Sequence, residues 1–256
     1  MATSPGIESV LTPELIDRLV ALADGPAVRG IALLGSAARG DASRWSDLDV
    51  ESTVARLTDK WPTRPSLLDD RLVMAGSITH AEQLAQLEQP DKAIWAVPSY
   101  AAMRILVDRD GALARLQALS AAFDYAPLAP AATAYLREKA GSSCEYVFKI
   151  RDGVDRADSA KILHAAAALT GKCERIVSVA YLVPIPTENV YYRILEQSAG
   201  PDWSAHHRAA FGLAGGDERA QGEAAVRLFR ETVRLIDQRL DVGVRTVIER
   251  ALEIAP

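Results

Sequence analysis

Residues 31–50, IALLGSAARGDASRWSDLDV, constrain this chain more than any other stretch. The apolar run 31–34 has the length of a short buried strand. Gly35 and Ser36 break it, and Arg39-Gly40-Asp41 makes a polar turn. Ser46 then leads into Asp47-Leu48-Asp49-Val50, which alternates polar and apolar as a half-buried strand does. Side chains two apart on a strand share a face, so Asp47 and Asp49 are expected side by side, with Glu51 two residues further. Paired carboxylates repel, and each raises the pKa of the other. A divalent cation removes that cost, and Mg²⁺ commonly takes one or two carboxylates together with phosphate oxygens.

Gly35-Ser36 supplies a complementary feature. A glycine after a strand lets backbone N–H groups approach an anion closely. A short helix from Ser36 would aim its positive end at the same anion, and the serine hydroxyl adds a donor. Arg39 and Ser46 flank this turn and join Gly35 and Ser36 as expected phosphate-binding residues, while Arg44 and Trp45 lie in the same loop.

The composite GSAARGDASRWSDLD resembles the Gly-Ser, spacer, Asp-x-Asp motif of the DNA polymerase β-like nucleotidyltransferase superfamily. The resemblance implies Mg²⁺-dependent transfer of a nucleoside monophosphate from an NTP, with ATP the first expectation, to an acceptor hydroxyl. Asp47 and Asp49 would be the metal-binding and catalytic pair. Members commonly carry a third acid on a neighbouring strand, which by chain order falls on 72–78. That run reads LVMAGSI and has no acid. Asp70 just before it, Asp108 at the end of a later strand-like run, and Glu145 in the following helical part are the candidates to replace it. Two other readings stay open: nucleotidylation of a protein or tRNA target, as in toxin–antitoxin systems, and nucleotide binding without catalysis.

The net charge of −5 disfavours a nucleic-acid partner, because no dense Lys/Arg cluster offsets it. It favours a small acceptor, and a cationic one such as an aminoglycoside. Hydrophobic content of 49% with 25% charged residues suits a globular protein. No apolar run has membrane-span length, and MATSPGIESV lacks a signal-peptide pattern, so a cytoplasmic location without membrane partners is the default. Cys144 and Cys173 read as packing residues, and His206-His207 as surface. Oligomeric state is left open.

Along the chain, Thr12-Pro13-Glu14 opens a first helix. Strands are expected over 28–34, 47–54 and 72–78, with a proline loop over 60–65. Thr79 to Glu82 is a capping box opening a helix through Leu87, which Gln89-Pro90-Asp91 ends. Residues 94–97 and 103–107 look strand-like. FDYAPLAP, residues 123–130, marks a boundary, and beyond it Ala, Leu, Glu, Arg and Lys dominate, as in helices, the last running over 218–254. The expected architecture is α+β: a nucleotidyltransferase domain with a small mixed sheet over 1–125, then an α-helical bundle over 126–256 as a possible acceptor-binding domain. That order looks like the antibiotic-modifying nucleotidyltransferases. Lys149, Lys161 and Lys172 in the helical part are long enough to reach a triphosphate, and Tyr181, Tyr191 and Tyr192 are candidate cleft residues.

Overall fold

The computed structural model describes residues 11–256. Residues 1–10, read above against a signal peptide, lie outside the described residues. The chain divides into two units. The first runs through Asp124 and includes Pro184–Thr187, and the second comprises Tyr125–Val183 and Glu188–Pro256.

In the first unit, α1 (Pro13–Ala23) begins as its sequence dictates. The Thr12 hydroxyl accepts from the Leu15 N–H, and Pro13 occupies a position where its missing N–H costs nothing. β1 (Val28–Leu34), α2 (Gly35–Arg39) and β2 (Leu48–Val54) follow. β3 (Arg64–Leu68) and β4 (Arg71–Thr79) form a hairpin. α3 (His80–Leu87), α4 (Pro90–Ala101), β5 (Arg104–Asp108) and α5 (Ala112–Ala121) complete the unit.

The sheet order is β3-β4-β2-β1-β5. It is mixed: β1 is antiparallel to β2 and β5, β2 is parallel to β4, and β3 is antiparallel to β4. Alternation decides what each face does. Leu48 and Val50 on β2 pair in register with Val73 and Ala75 on β4, and these four pack with Leu15, Leu19 and Ala23 of α1. The buried Ser52 hydroxyl donates to the Ala23 carbonyl at 2.8 Å and ties the end of α1 to β2. The alternate residues, Asp49 and Glu51 on β2 with Met74 and Gly76 on β4, therefore point to the opposite face.

The second unit is helical: α6 (Ala129–Asp155), α7 (Ser159–Tyr181), α8 (Tyr191–Ala199), α9 (Pro201–Ala210), α10 (Glu218–Ile236) and α11 (Val242–Glu253). Leu136, Val147 and Ile150 of α6, Leu169 and Ile176 of α7, and Leu228 and Phe229 of α10 form its buried core. Both cysteines are buried and free. No described helix is long and apolar enough to cross a membrane.

Several local expectations are corrected. Residues 94–97 are not a strand but lie inside α4, where Ala93, Ile94, Ala96, Val97 and Tyr100 form a buried helical stripe. Pro90, expected to end a helix, instead starts α4 with Gln89 as its cap. The expected loop 60–65 ends in an edge strand, a position where Pro65 forfeits no interior hydrogen bond. The expected terminal helix is broken at Asp237–Arg239, and Asp241 caps a new helix by accepting from the Val244 N–H at 2.9 Å. His207 is not on the surface but 2% exposed, stacked on Trp203 at 4.5 Å and hydrogen-bonded to Glu174 at 3.0 Å.

Candidate functional site

The site is built where β1 ends. Leu34 pairs with Asp49, so the turn that follows is held against that aspartate. Gly35 adopts φ +67°, in the left-handed region where a side chain is strained. A Cβ on Gly35 would lie 2.5 Å from Asp49 Oδ2, so only glycine lets the backbone and the carboxylate come this close. Ser36 sits in the first turn of α2, which closes at Gly40, where the Gly40 and Asp41 N–H groups both donate to the Ser36 carbonyl.

The loop back to β2 is tied internally. The Ser46 hydroxyl accepts from the Ser43 N–H at 2.8 Å, and the Trp45 N–H donates to the Ser43 hydroxyl at 3.1 Å. Ser46, expected among phosphate ligands, thus accepts a hydrogen bond within the loop. Arg44 stacks over Trp45 at 4.2 Å, with Trp45 81% exposed. Arg39 donates to the Pro186 carbonyl at 2.8 Å and pairs with Asp41. Asp47 is half-buried and stands one residue before β2, so the strand's alternation carries Asp49 and Glu51 rather than Asp47 and Asp49.

Asp49 and Glu51 line a cavity of about 560 Å³, a size typical of small-molecule sites. Leu34 and Gly35 close one end, and Lys60, Glu82, Gln86 and Lys92 are among its walls. Gln83 donates to Glu51 Oε1 at 2.8 Å and also to the Thr53 hydroxyl at 3.2 Å. Burial raises the Glu51 pKa, against the opposing effect of hydrogen bonds from Gln83 and Tyr100. Burial and the neighbouring Glu51 charge likewise push the Tyr100 hydroxyl up. Lys60 pairs with Glu82 at 2.6 Å.

Within the first unit, the structure does not bring Asp70 or Asp108 to this cavity. Asp70 is exposed at the β3–β4 turn with φ +60°. Asp108 accepts from the Leu113 and Ala114 N–H groups at 3.4 and 2.9 Å, which makes it a cap for α5, and it pairs with Gly30 near the far end of β1. Glu145 belongs to α6, where Lys149 pairs with it at 2.5 Å and lowers its pKa. Lys161 is likewise paired, with Asp152. Gln83, Lys92 and Tyr100 went unnoticed in the sequence. The stretch read as a strand hid the helical spacing of Lys92, Trp95, Ala96 and Ser99, at i, i+3, i+4 and i+7.

A hard cation that arrives with phosphate oxygens needs few protein carboxylates, and Asp49 offers one in the cavity, with Asp47 two residues before it. They do not make a closed metal centre, because no three His, Cys, Asp or Glu side chains gather to hold a metal among the described residues. The cradle at Gly35, where a Cβ would fill the space beside Asp49, fits the same arrangement.

No protein-family model and no curated protein matches the sequence. Among solved structures, the chain is similar to a nucleotidyltransferase-like protein from Exiguobacterium sibiricum, with a TM-score of 0.51 and 13% identity over 96% of this chain and 78% of that one. The fold is nucleotidyltransferase-like.

Two outcomes follow from the geometry. Gly35→Ala should cost about 1–3 kcal/mol of stability through its left-handed backbone, with a further loss from the contact to Asp49. Denaturant unfolding of Gly35→Ala with and without Asp49→Ala would separate the two, and additive losses would show that the Asp49 contact is unimportant. Glu82 is held down to about 2 by Lys60 first, then by the Thr79 N–H and hydroxyl. A carboxyl lowered in the folded state stabilises it above the ordinary value of 4.5, and that contribution is lost as pH falls toward about 2. Glu82→Gln should therefore lower Tm at pH 7, and the gap to the unmodified protein should close over that acid range. A gap that does not change with pH would assign the loss to packing.

Proposed function

We propose that this chain is an Mg²⁺-dependent nucleotidyltransferase, moving a nucleoside monophosphate from an NTP, with ATP the first donor to test, to a hydroxyl of a small acceptor. The observation that carries this reading is Asp49 Oδ2 lying against Gly35 in a cavity that Glu51 also lines. The nucleotidyltransferase-like fold supports it.

Asp47 and Asp49 would hold Mg²⁺ together with the triphosphate. The metal, when bound, neutralises charge on the phosphates and makes the α-phosphorus a better electrophile. The Gly35–Ser36 turn offers backbone N–H groups and a hydroxyl to the β- and γ-phosphates. Glu51 is the general base in place of Asp70, Asp108 and Glu145, on grounds of position: it shares a strand face and a cavity with Asp49. Glu51 accepts the acceptor's hydroxyl proton, and the oxygen bonds to the α-phosphorus. The bond from that phosphorus to the bridging oxygen breaks, and pyrophosphate leaves with the electron pair. Gln83 positions the carboxylate throughout. An aminoglycoside-like antibiotic is one acceptor to test, since the chain's net charge of −5 attracts cations.

One observation favours a second reading, nucleotide binding without transfer. β4 presents Met74, Gly76 and Ile78 to the cavity and no acid. Calorimetry and labelled-NTP assays distinguish the two. Asp47→Asn and Asp49→Asn should each abolish Mg²⁺-dependent NTP binding while the circular dichroism spectrum is unchanged. Wild-type binding by either variant would remove that residue from the metal site. Glu51→Gln should lower kcat by about 10²-fold or more with nucleotide affinity intact. Saturable Mg²⁺–NTP binding with no transfer to any acceptor would favour the binding protein.

A further inference from the structure

A second hollow of about 330 Å³ adjoins the first, and Leu34, Glu51, Gln86, Lys92 and Ser99 line both. Asp91, Trp95, Ala96 and Tyr100 complete it. Its wall is largely one face of α4, which presents the half-buried ring of Trp95 among polar groups. We propose that this hollow is the acceptor subsite and that it takes a neutral sugar ring, a proposal that rests on reading the Asp49 cavity as the nucleotide site.

The chemistry of the lining carries the class of ligand. An indole offers a broad apolar face, and a pyranose offers a matching face of C–H groups. The ring's hydroxyls both donate and accept, and the wall provides both: the Gln86 amide, the Ser99 hydroxyl, the Asp91 carboxylate and the Lys92 ammonium. An apolar lining with a few converging polar groups is the usual make-up of a small-molecule site, and 330 Å³ lies at its lower size range.

Charge argues against a polycation. Asp91 and Lys92 are adjacent and opposite in sign, so they offset each other. Lys92 has no acidic partner within ion-pair distance among the described residues, and it stands on the wall common to both hollows, where it would repel a second ammonium. Glu51, which also lines the hollow, is then its one uncompensated carboxylate, too little charge for the several ammonium groups of a polycation. Glu51 at the junction fixes the reaction's direction. A ring hydroxyl there passes its proton to Glu51, its oxygen bonds to the α-phosphorus, and the α–β bridging P–O bond breaks to release pyrophosphate.

The test uses the full chain and separates the two sites. Saturation-transfer NMR would be run with methyl α-D-glucopyranoside, methyl α-D-mannopyranoside, sucrose and trehalose, and with kanamycin as the polycation. Mg²⁺–ATP binding would be titrated in parallel by calorimetry. At least one neutral sugar should show saturation of its ring C–H signals. Trp95→Ala should remove it and Trp95→Phe should retain most of it, while Mg²⁺–ATP affinity stays within about threefold. Trp95→Leu, apolar but without a ring face, serves if Trp95→Ala does not fold. Absence of binding by all four neutral sugars, binding of kanamycin in their place, or a signal indifferent to the loss of the Trp95 ring would each overturn the subsite. Sugar binding without Mg²⁺–ATP binding would overturn the nucleotide reading and leave the sugar site standing. Mg²⁺–ATP binding without sugar binding would do the reverse.

Discussion

The approach of Gly35 to Asp49 is the constraint on which the site depends. It exists because β1 and β2 are neighbours with Leu34 opposite Asp49, so the turn that leaves β1 must pass the carboxylate. Any side chain at position 35 would meet Asp49 Oδ2, and the backbone there is left-handed as well. Two independent demands thus fall on one residue, and glycine alone satisfies both. The result is backbone held close beside the Asp49 carboxylate at the edge of the cavity.

The sheet divides labour between its faces. Leu48, Val50, Val73 and Ala75 spend their side of β2 and β4 on α1, whose burial supplies the hydrophobic stabilisation of the first unit. Because alternation is strict, that choice fixes Asp49 and Glu51 on the other side with no further instruction. The cost of placing carboxylates on a partly buried face is visible at Glu51, whose pKa burial raises. Gln83 relieves part of that cost through one short hydrogen bond while also bonding to Thr53.

What could be read from the sequence follows the range of the forces involved. The motif turn, the Thr12 and Thr79 caps, the alternation of β2 and the existence of β4 are local patterns, and each is legible. The helix at 90–101 was not, because a short apolar run such as 94–97 fits strand and helix alike, and Pro90 reads as a stop or a start. That ambiguity hid Lys92, Trp95 and Tyr100, the cavity residues of α4. Asp108 misled for a related reason. Its position at a strand end suits a catalytic acid and a helix cap equally, and its bonds to the Leu113 and Ala114 N–H groups depend on where α5 begins. His207 was unreadable because its partners Glu174 and Glu196 come from other helices.

Gly76 is the crowded position of β4. Glu51 stands in register with Gly76, the place where a neighbouring strand would offer a second carboxylate. A Cβ at Gly76 would lie 2.6 Å from the Thr63 hydroxyl and 3.2 Å from the Thr63 backbone. The hydroxyl can rotate away, but the Thr63 backbone must also give by a few tenths of an ångström, so the chain before β3 crowds a side chain at that level. Met74, beside Asp49, is the other residue of β4 at this depth, and it is apolar. The acids that the sheet offers to the cavity lie along β2, where spacing by two places Glu51 next after Asp49, while Glu82 comes from α3. Crowding at Gly76 thus leaves Asp49 and Glu51 of β2 as the carboxylates that the sheet presents to the cavity.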